Sequence, residues 1–113
     1  MHEVGITQSM LDIAQEHARA QGSTRILSLT MEIGQLSGVV PEAIRFCFEA
    51  CARGTPAQGA QLIIDEIPAL AKCRQCGGEH RPEIMSFACP ACGAFALELL
   101  RGEELRLKEL EVE

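Results

Sequence analysis

Between residues 3 and 21 apolar side chains recur at steps of three and four: Ile6, Met10, Ile13 and Ala14, with His17 continuing the same face. That spacing predicts an amphipathic helix from Glu3 to Gln21, stopped by Gly22. The period then changes. In RILSLTMEIG, Leu27, Leu29, Met31 and Ile33 alternate with Ser28, Thr30 and Glu32, the period of two that marks a half-buried strand. Gly34, Gly38 and Pro41 punctuate the stretch GQLSGVVP, and Pro41 suits the first turn of a second helix reaching about Arg53. The apolar stripe of that helix is Ile44, Cys47, Phe48 and Cys51. After the turn-rich GTPAQG, AQLIIDEIP reads as a second strand with Leu62 and Ile64 toward the helices, limited by Pro68. At the C-terminal end ELRLKELEVE is strand-like. Its apolar phase shifts from Leu105 and Leu107 to Leu110 and Val112, which predicts a bulge near Lys108 and Glu109.

Residues from 69 to about 96 follow neither period: four cysteines, with glycines and prolines, separate hydrophobic pieces too short to bury a core unaided. The element order predicts an α+β class: two helices packed on a small mixed three-stranded sheet, with an inserted four-cysteine, zinc-ribbon-like module. The division expected is an α/β domain of residues 1–68 plus 101–113 and a module of residues 69–100.

Composition narrows the partners. There is no Trp or Tyr and only 4 Phe, so the core must be aliphatic. A formal charge of −6 repels a phosphate backbone, which disfavours nucleic acid. The start lacks the basic and apolar regions of a secretory signal, and no apolar run approaches the roughly 20 residues that span a bilayer. A cytoplasmic protein is expected, in which six cysteines serve as thiols or metal ligands.

The stretch KCRQCGGEHRPEIMSFACPACG supplies the strongest chemical signal: Cys73 and Cys76, then Cys89 and Cys92, each pair separated by two residues and each followed by glycine. A two-residue gap lets two thiolates from one turn reach a single ion at about 2.3 Å, and two such turns complete a tetrahedron. Four thiolates suit zinc or iron. Only Phe87 and Phe95 lie near enough to form the aromatic shell of an iron site, so zinc is expected. With four protein ligands the ion has no open position, and its role is structural. His80, four residues after Cys76, reads as a loop histidine able to modulate the site. Cys47 and Cys51 read as small buried hydrophobes and His17 as a packing residue. No nucleophile–base pair, phosphate loop or paired carboxylates are legible, so an enzyme is not expected.

The first residues, MHE, carry the second signal. An α-amino group, the next amide nitrogen and the His2 imidazole can close two adjacent chelate rings, a nitrogen-rich arrangement suited to Ni(II) or Cu(II). Glu3 adds an amide or a carboxylate.

Taken together, MHE, EIGQLSGVVPEAIRFCFE, GTPAQGAQLIIDEIP, the paired CxxCG turns and LRLKELEVE resemble the HypA/HybF family of hydrogenase nickel-incorporation proteins, over essentially the whole chain. The resemblance implies a nickel-binding α/β domain joined to a zinc domain. It implies a metallochaperone that delivers Ni(II), as cargo, to the [NiFe]-hydrogenase large subunit with the GTPase HypB; a homodimer is compatible with it. It places nickel on His2 with the neighbouring backbone, including Glu3, and zinc on Cys73, Cys76, Cys89 and Cys92. Some members carry an acidic residue in the loop before the second helix, where this chain reads Val39-Val40-Pro41-Glu42, leaving Glu42 as the nearest carboxylate. The competing expectation is a zinc-ribbon protein–protein interaction module without nickel transfer.

Overall fold

The structure, a computed structural model, describes residues 2–82 and 87–113. In chain order the elements are α1 (His2–Ala20), β1 (Ile26–Gly34), α2 (Pro41–Ala52), β2 (Gln61–Ile67), β3 (Leu70–Cys73), β4 (Glu79–His80), β5 (Leu97–Arg101) and β6 (Leu105–Val112). They form two three-stranded sheets, ordered β2-β1-β6 and β4-β3-β5. The first is mixed. β1 runs parallel to β2, from Ser28 opposite Gln61 to Gly34 opposite Ile67, and antiparallel to β6. A parallel pair needs a crossover, and α2 supplies it. The second sheet is antiparallel throughout; Cys73 lies on β3, and Cys76, Cys89 and Cys92 lie in the segments between its strands.

Helix α1 closes as the sequence leads one to expect. Gly22 takes φ 73°, and Ser23 and Gly22 donate to the carbonyls of Ala18 and Arg19 at 2.9 Å, the paired bonds of a Schellman stop. The buried face differs from the expected one. It consists of Thr7, Met10, Leu11, Ala14 and Ala18, whereas Ile13 is half exposed and His17 is exposed, not packed. At 3.6 residues per turn the true stripe is rotated by roughly 70° from the expected one. Thr7 concealed it: the residue is fully buried, and its hydroxyl donates to the Glu3 carbonyl at 2.7 Å, which removes the cost of burying a polar atom.

Bulges explain the strands. β6 pairs Glu109 with Thr30 and Leu107 with Met31, so Lys108 is the extra residue and the expected phase shift is found there. A second bulge was not legible: Ile26 pairs with Val112 and Ser28 with Glu111, leaving Leu27 extra. One inserted residue flips the side-chain parity. Ile26 is therefore buried and Leu27 is exposed, opposite to the strict alternation.

The helices cover one face of the first sheet. Leu11, Ala14, Ala18, Ile26, Leu29, Phe48, Ala52 and Ala57 form one core cluster; Met10, Met31, Ile33 and Ile44 form another, and Leu62 and Leu107 touch both. Cys47 is buried in α2 and Cys51 half-buried, as small hydrophobes would be. The radius of gyration is 17.6 Å, against about 13 Å for a compact chain of this length. The two sheets are thus drawn out along one axis of 54 Å.

Leu29 is fully buried on the central strand. Leu29→Ala should cost about 3 kcal/mol in urea unfolding of the metal-loaded protein. Ile13→Ala, at an equally apolar position of the expected stripe, should cost less than about 1 kcal/mol.

Candidate metal centre

The two Cys-x2-Cys turns are built alike. Gly77 donates to the Cys73 carbonyl at 2.8 Å and Cys73 donates to the Gly78 carbonyl at 2.9 Å. In the second turn Gly93 donates to Cys89, and Cys89 to Ala94, each at 2.8 Å. Both turns require a left-handed residue after the second cysteine, and Gly77 and Gly93 take φ 78° and 75°, where a Cβ would be costly. Arg74 donates to the Ala96 carbonyl at 2.9 Å, tying the first turn to the chain leaving the second.

The four sulfurs lie within 4.8 Å of one another. Cys73 Sγ is 3.6 Å from Cys92 Sγ, and Cys76 Sγ is 3.7 Å from Cys89 Sγ. A tetrahedral ion with sulfurs at about 2.3 Å has edges of about 3.8 Å. The residues fit such an ion, and their soft donors suit zinc or iron.

The thiols are not equivalent. The Cys76 amide aimed at the Cys73 sulfur lowers that thiol's pKa, outweighing burial. Burial pushes Cys89 up, but the amides of Cys92 and Ala91, with neighbouring thiols, more than offset it and leave it at about 6. The Ala94 amide lowers Cys92, yet the adjacent Cys73 sulfur, burial and the remaining thiols carry it to about 11. The Gly78 amide likewise lowers Cys76, which Cys89, burial and Cys73 reverse to a net rise. The backbone has prepared part of the negative charge that a cation would require, and a cation must expel the remaining protons.

His80 lies on β4 with Nε2 3.5 Å from Cys89 Sγ, yet it does not join the four-sulfur group. Gly78 makes room for it: a Cβ there would stand 2.8 Å from that nitrogen. Nothing in the local spacing singles out Gly78, because its constraint comes from the His80 ring.

At the other end, α1 begins at His2, one residue earlier than expected. His2 Nε2 is 2.8 Å from a Glu3 carboxylate oxygen, with the imidazole largely exposed and the carboxylate largely covered. The Met1 amine lies outside the described residues. Glu42 pairs with Arg45 on α2, and among the described residues it joins no group of three ligand atoms with His2 and Glu3. Beside His2 opens an apolar groove of about 440 Å³ bordered by Ile6, Met10, Ile13, Leu105 and Arg106. The sequence could not show it, because it arises from the rotation of α1 that leaves Ile13 outside the core.

Residues 1–112 match the family model described as HypA, hydrogenase/urease nickel incorporation, metallochaperone. The chain is 51% identical to hydrogenase maturation factor HypA of Geobacter metallireducens, covering all of both chains. It is 50% identical to HypA of a Nostoc species, over 100% of this chain and 96% of that one. Among solved structures, a solution structure of HypA protein matches with a TM-score of 0.74 at 23% identity, covering 100% and 97% of the two chains. The solution structure of the Ni metallochaperone HypA from Helicobacter pylori matches with a TM-score of 0.66 at 21% identity, covering 97% and 96%. Both support the fold.

Cys89→Ser should abolish tight Zn(II) uptake and melt the second sheet in an amide NMR spectrum, while the β2-β1-β6 resonances persist. Because Cys89 titrates near 6, it is already a thiolate at pH 7.5. Zn(II) binding measured in buffers of different ionisation enthalpy should therefore release fewer than four protons from the four thiols.

Proposed function

The chain belongs to the HypA family of hydrogenase/urease nickel-incorporation metallochaperones, and from that membership we propose that it carries Ni(II) at its N-terminus and delivers it during [NiFe]-hydrogenase maturation. The observation that carries this reading is the His2–Glu3 pair at the head of α1, in a chain whose family match extends from residue 1 to residue 112. The first four amides of a helix have no intrahelical partner. Recruiting the His2 amide nitrogen to a metal therefore breaks no helical hydrogen bond. Glu3 orients the imidazole before the ion arrives, and its negative charge offsets the positive end of the helix. The Met1 amine completes the chelate.

Exposure of His2 suits a cargo site, because a ligand sphere open to solvent can be exchanged into a receiving site. The cysteine centre has the opposite character. Cys73, Cys76, Cys89 and Cys92 hold one structural zinc, which cross-links the β4-β3-β5 sheet and leaves no coordination position for substrate. Residues 1–68 with 101–113 act as the nickel-binding unit and residues 69–100 as the zinc unit. The receiving partners are the GTPase HypB and the [NiFe]-hydrogenase large subunit, in the cytoplasm, with the chain acting as a monomer or homodimer. Among the described residues no helix is long and apolar enough to cross a membrane.

A calorimetric nickel titration of zinc-loaded protein tests the reading. His2→Ala should abolish specific binding while zinc content and fold are retained, and a histidine-free N-terminal extension should weaken binding substantially. Normal binding by His2→Ala would leave the chain as a zinc-ribbon interaction module without nickel transfer. Normal binding by the extended protein alone would keep His2 as a ligand and remove the amine.

A further inference from the structure

The chain crosses between the two sheets twice, outward through residues 67–69 and back through residues 101–104, and a single loop holds both crossings. Pro68 has no N–H to give. On either side of it, Gln35 takes up the neighbouring backbone groups: its amide donates to the Ile67 carbonyl at 2.8 Å, and its side-chain Oε1 accepts from the Ala69 amide at 2.9 Å. The return crossing is bound to the same loop. Gly34 donates to the Glu104 carbonyl and Leu36 to the Gly102 carbonyl, both at 2.7 Å. Glu104 in turn accepts from the Gly102 amide at 2.8 Å.

Packing at this junction leaves no room for side chains. A Cβ at Gly34 would run into the Gly102 carbonyl, and one at Gly102 would stand 2.7 Å from the Ala69 Cα, at a φ of 123°. The outward and return segments therefore touch each other as well as the loop. Ala69 and Gly102 are buried there. This is unlike a Gly/Ser-rich tether, whose solvated backbone lets the joined parts move independently.

We propose that Gln35, with Gly34 and Gly102, is a positioning lock that fixes the cysteine module in one orientation relative to the main sheet and so relative to the His2 end of α1. Gln35 is its adjustable element, since it alone among the three holds a crossing through a side chain. Gly34 and Gly102 act by being small. The lock stands apart from the nickel reading: it needs only the fold and the metal-loaded module, and it holds whatever α1 carries.

The test is amide 15N relaxation on the metal-loaded full chain. In the native protein, one anisotropic tumbling model should fit the amides of both sheets. In Gln35→Ala the β4-β3-β5 amides should require a separate, shorter correlation time, with zinc content unchanged. Gln35→Glu keeps an acceptor oxygen at the same position and should restore common tumbling. Independent tumbling of the two sheets in the native protein would overturn the lock, as would common tumbling retained in Gln35→Ala or uncoupling that Gln35→Glu does not repair.

Discussion

Strand β1 is the constraint on which the remainder of the structure depends. It is hydrogen-bonded along both edges, to β2 in parallel and to β6 in antiparallel, and Ile26, Leu29, Met31 and Ile33 are buried on it. The parallel neighbour forces a crossover, so α2 must lie across the sheet. The antiparallel neighbour is the last strand of the chain, so everything between β2 and β6 must leave the sheet and come back. The cysteine module is that excursion, and its separateness follows from the order in which β1 acquires its partners.

The excursion could not hold together by burial alone. Its strands run to 4, 2 and 5 residues, and Phe87 and Phe95 remain exposed. Small units without an adequate core need a cross-link, and here the cross-link is four sulfurs brought to the spacing of one tetrahedral ion. The chain thus presents two contrasting sets of donor side chains. One set of donors is soft and closed, and its backbone amides have already lowered two of the thiols. The other consists of an exposed imidazole and a carboxylate at a helix end. The four sulfurs face one another, whereas the His2 imidazole is open to solvent beside a largely covered carboxylate.

Several features were legible because each is written in neighbouring residues. The Cys-x2-Cys-Gly turns were readable from spacing and from the conformational demand on glycine. Both helices and β1, β2 and β6 were readable from period, and the bulge at Lys108 from the break in that period. His2 and Glu3 stood out as adjacent donors, and their side chains meet at the head of α1. The resemblance carried by these same segments led to the family that the full-length matches then established.

Other features were decided only when distant segments met. Which stripe of α1 is buried depends on the sheet beneath it: Thr7 can sit inside because the helix's own carbonyl satisfies it, and Ile13 is left beside His2. The bulge at Leu27 exists because β6 pairs there, and nothing within β1 announces it. The β4-β3-β5 sheet joins strands too short to show a period. Gly34 in EIGQLSG reads locally as a turn residue, but its real constraint is the carbonyl of Gly102, 68 positions away. Sequence records local conformational preference and donor chemistry directly, whereas steric exclusion between segments far apart in the chain appears only once the backbone has brought them into contact.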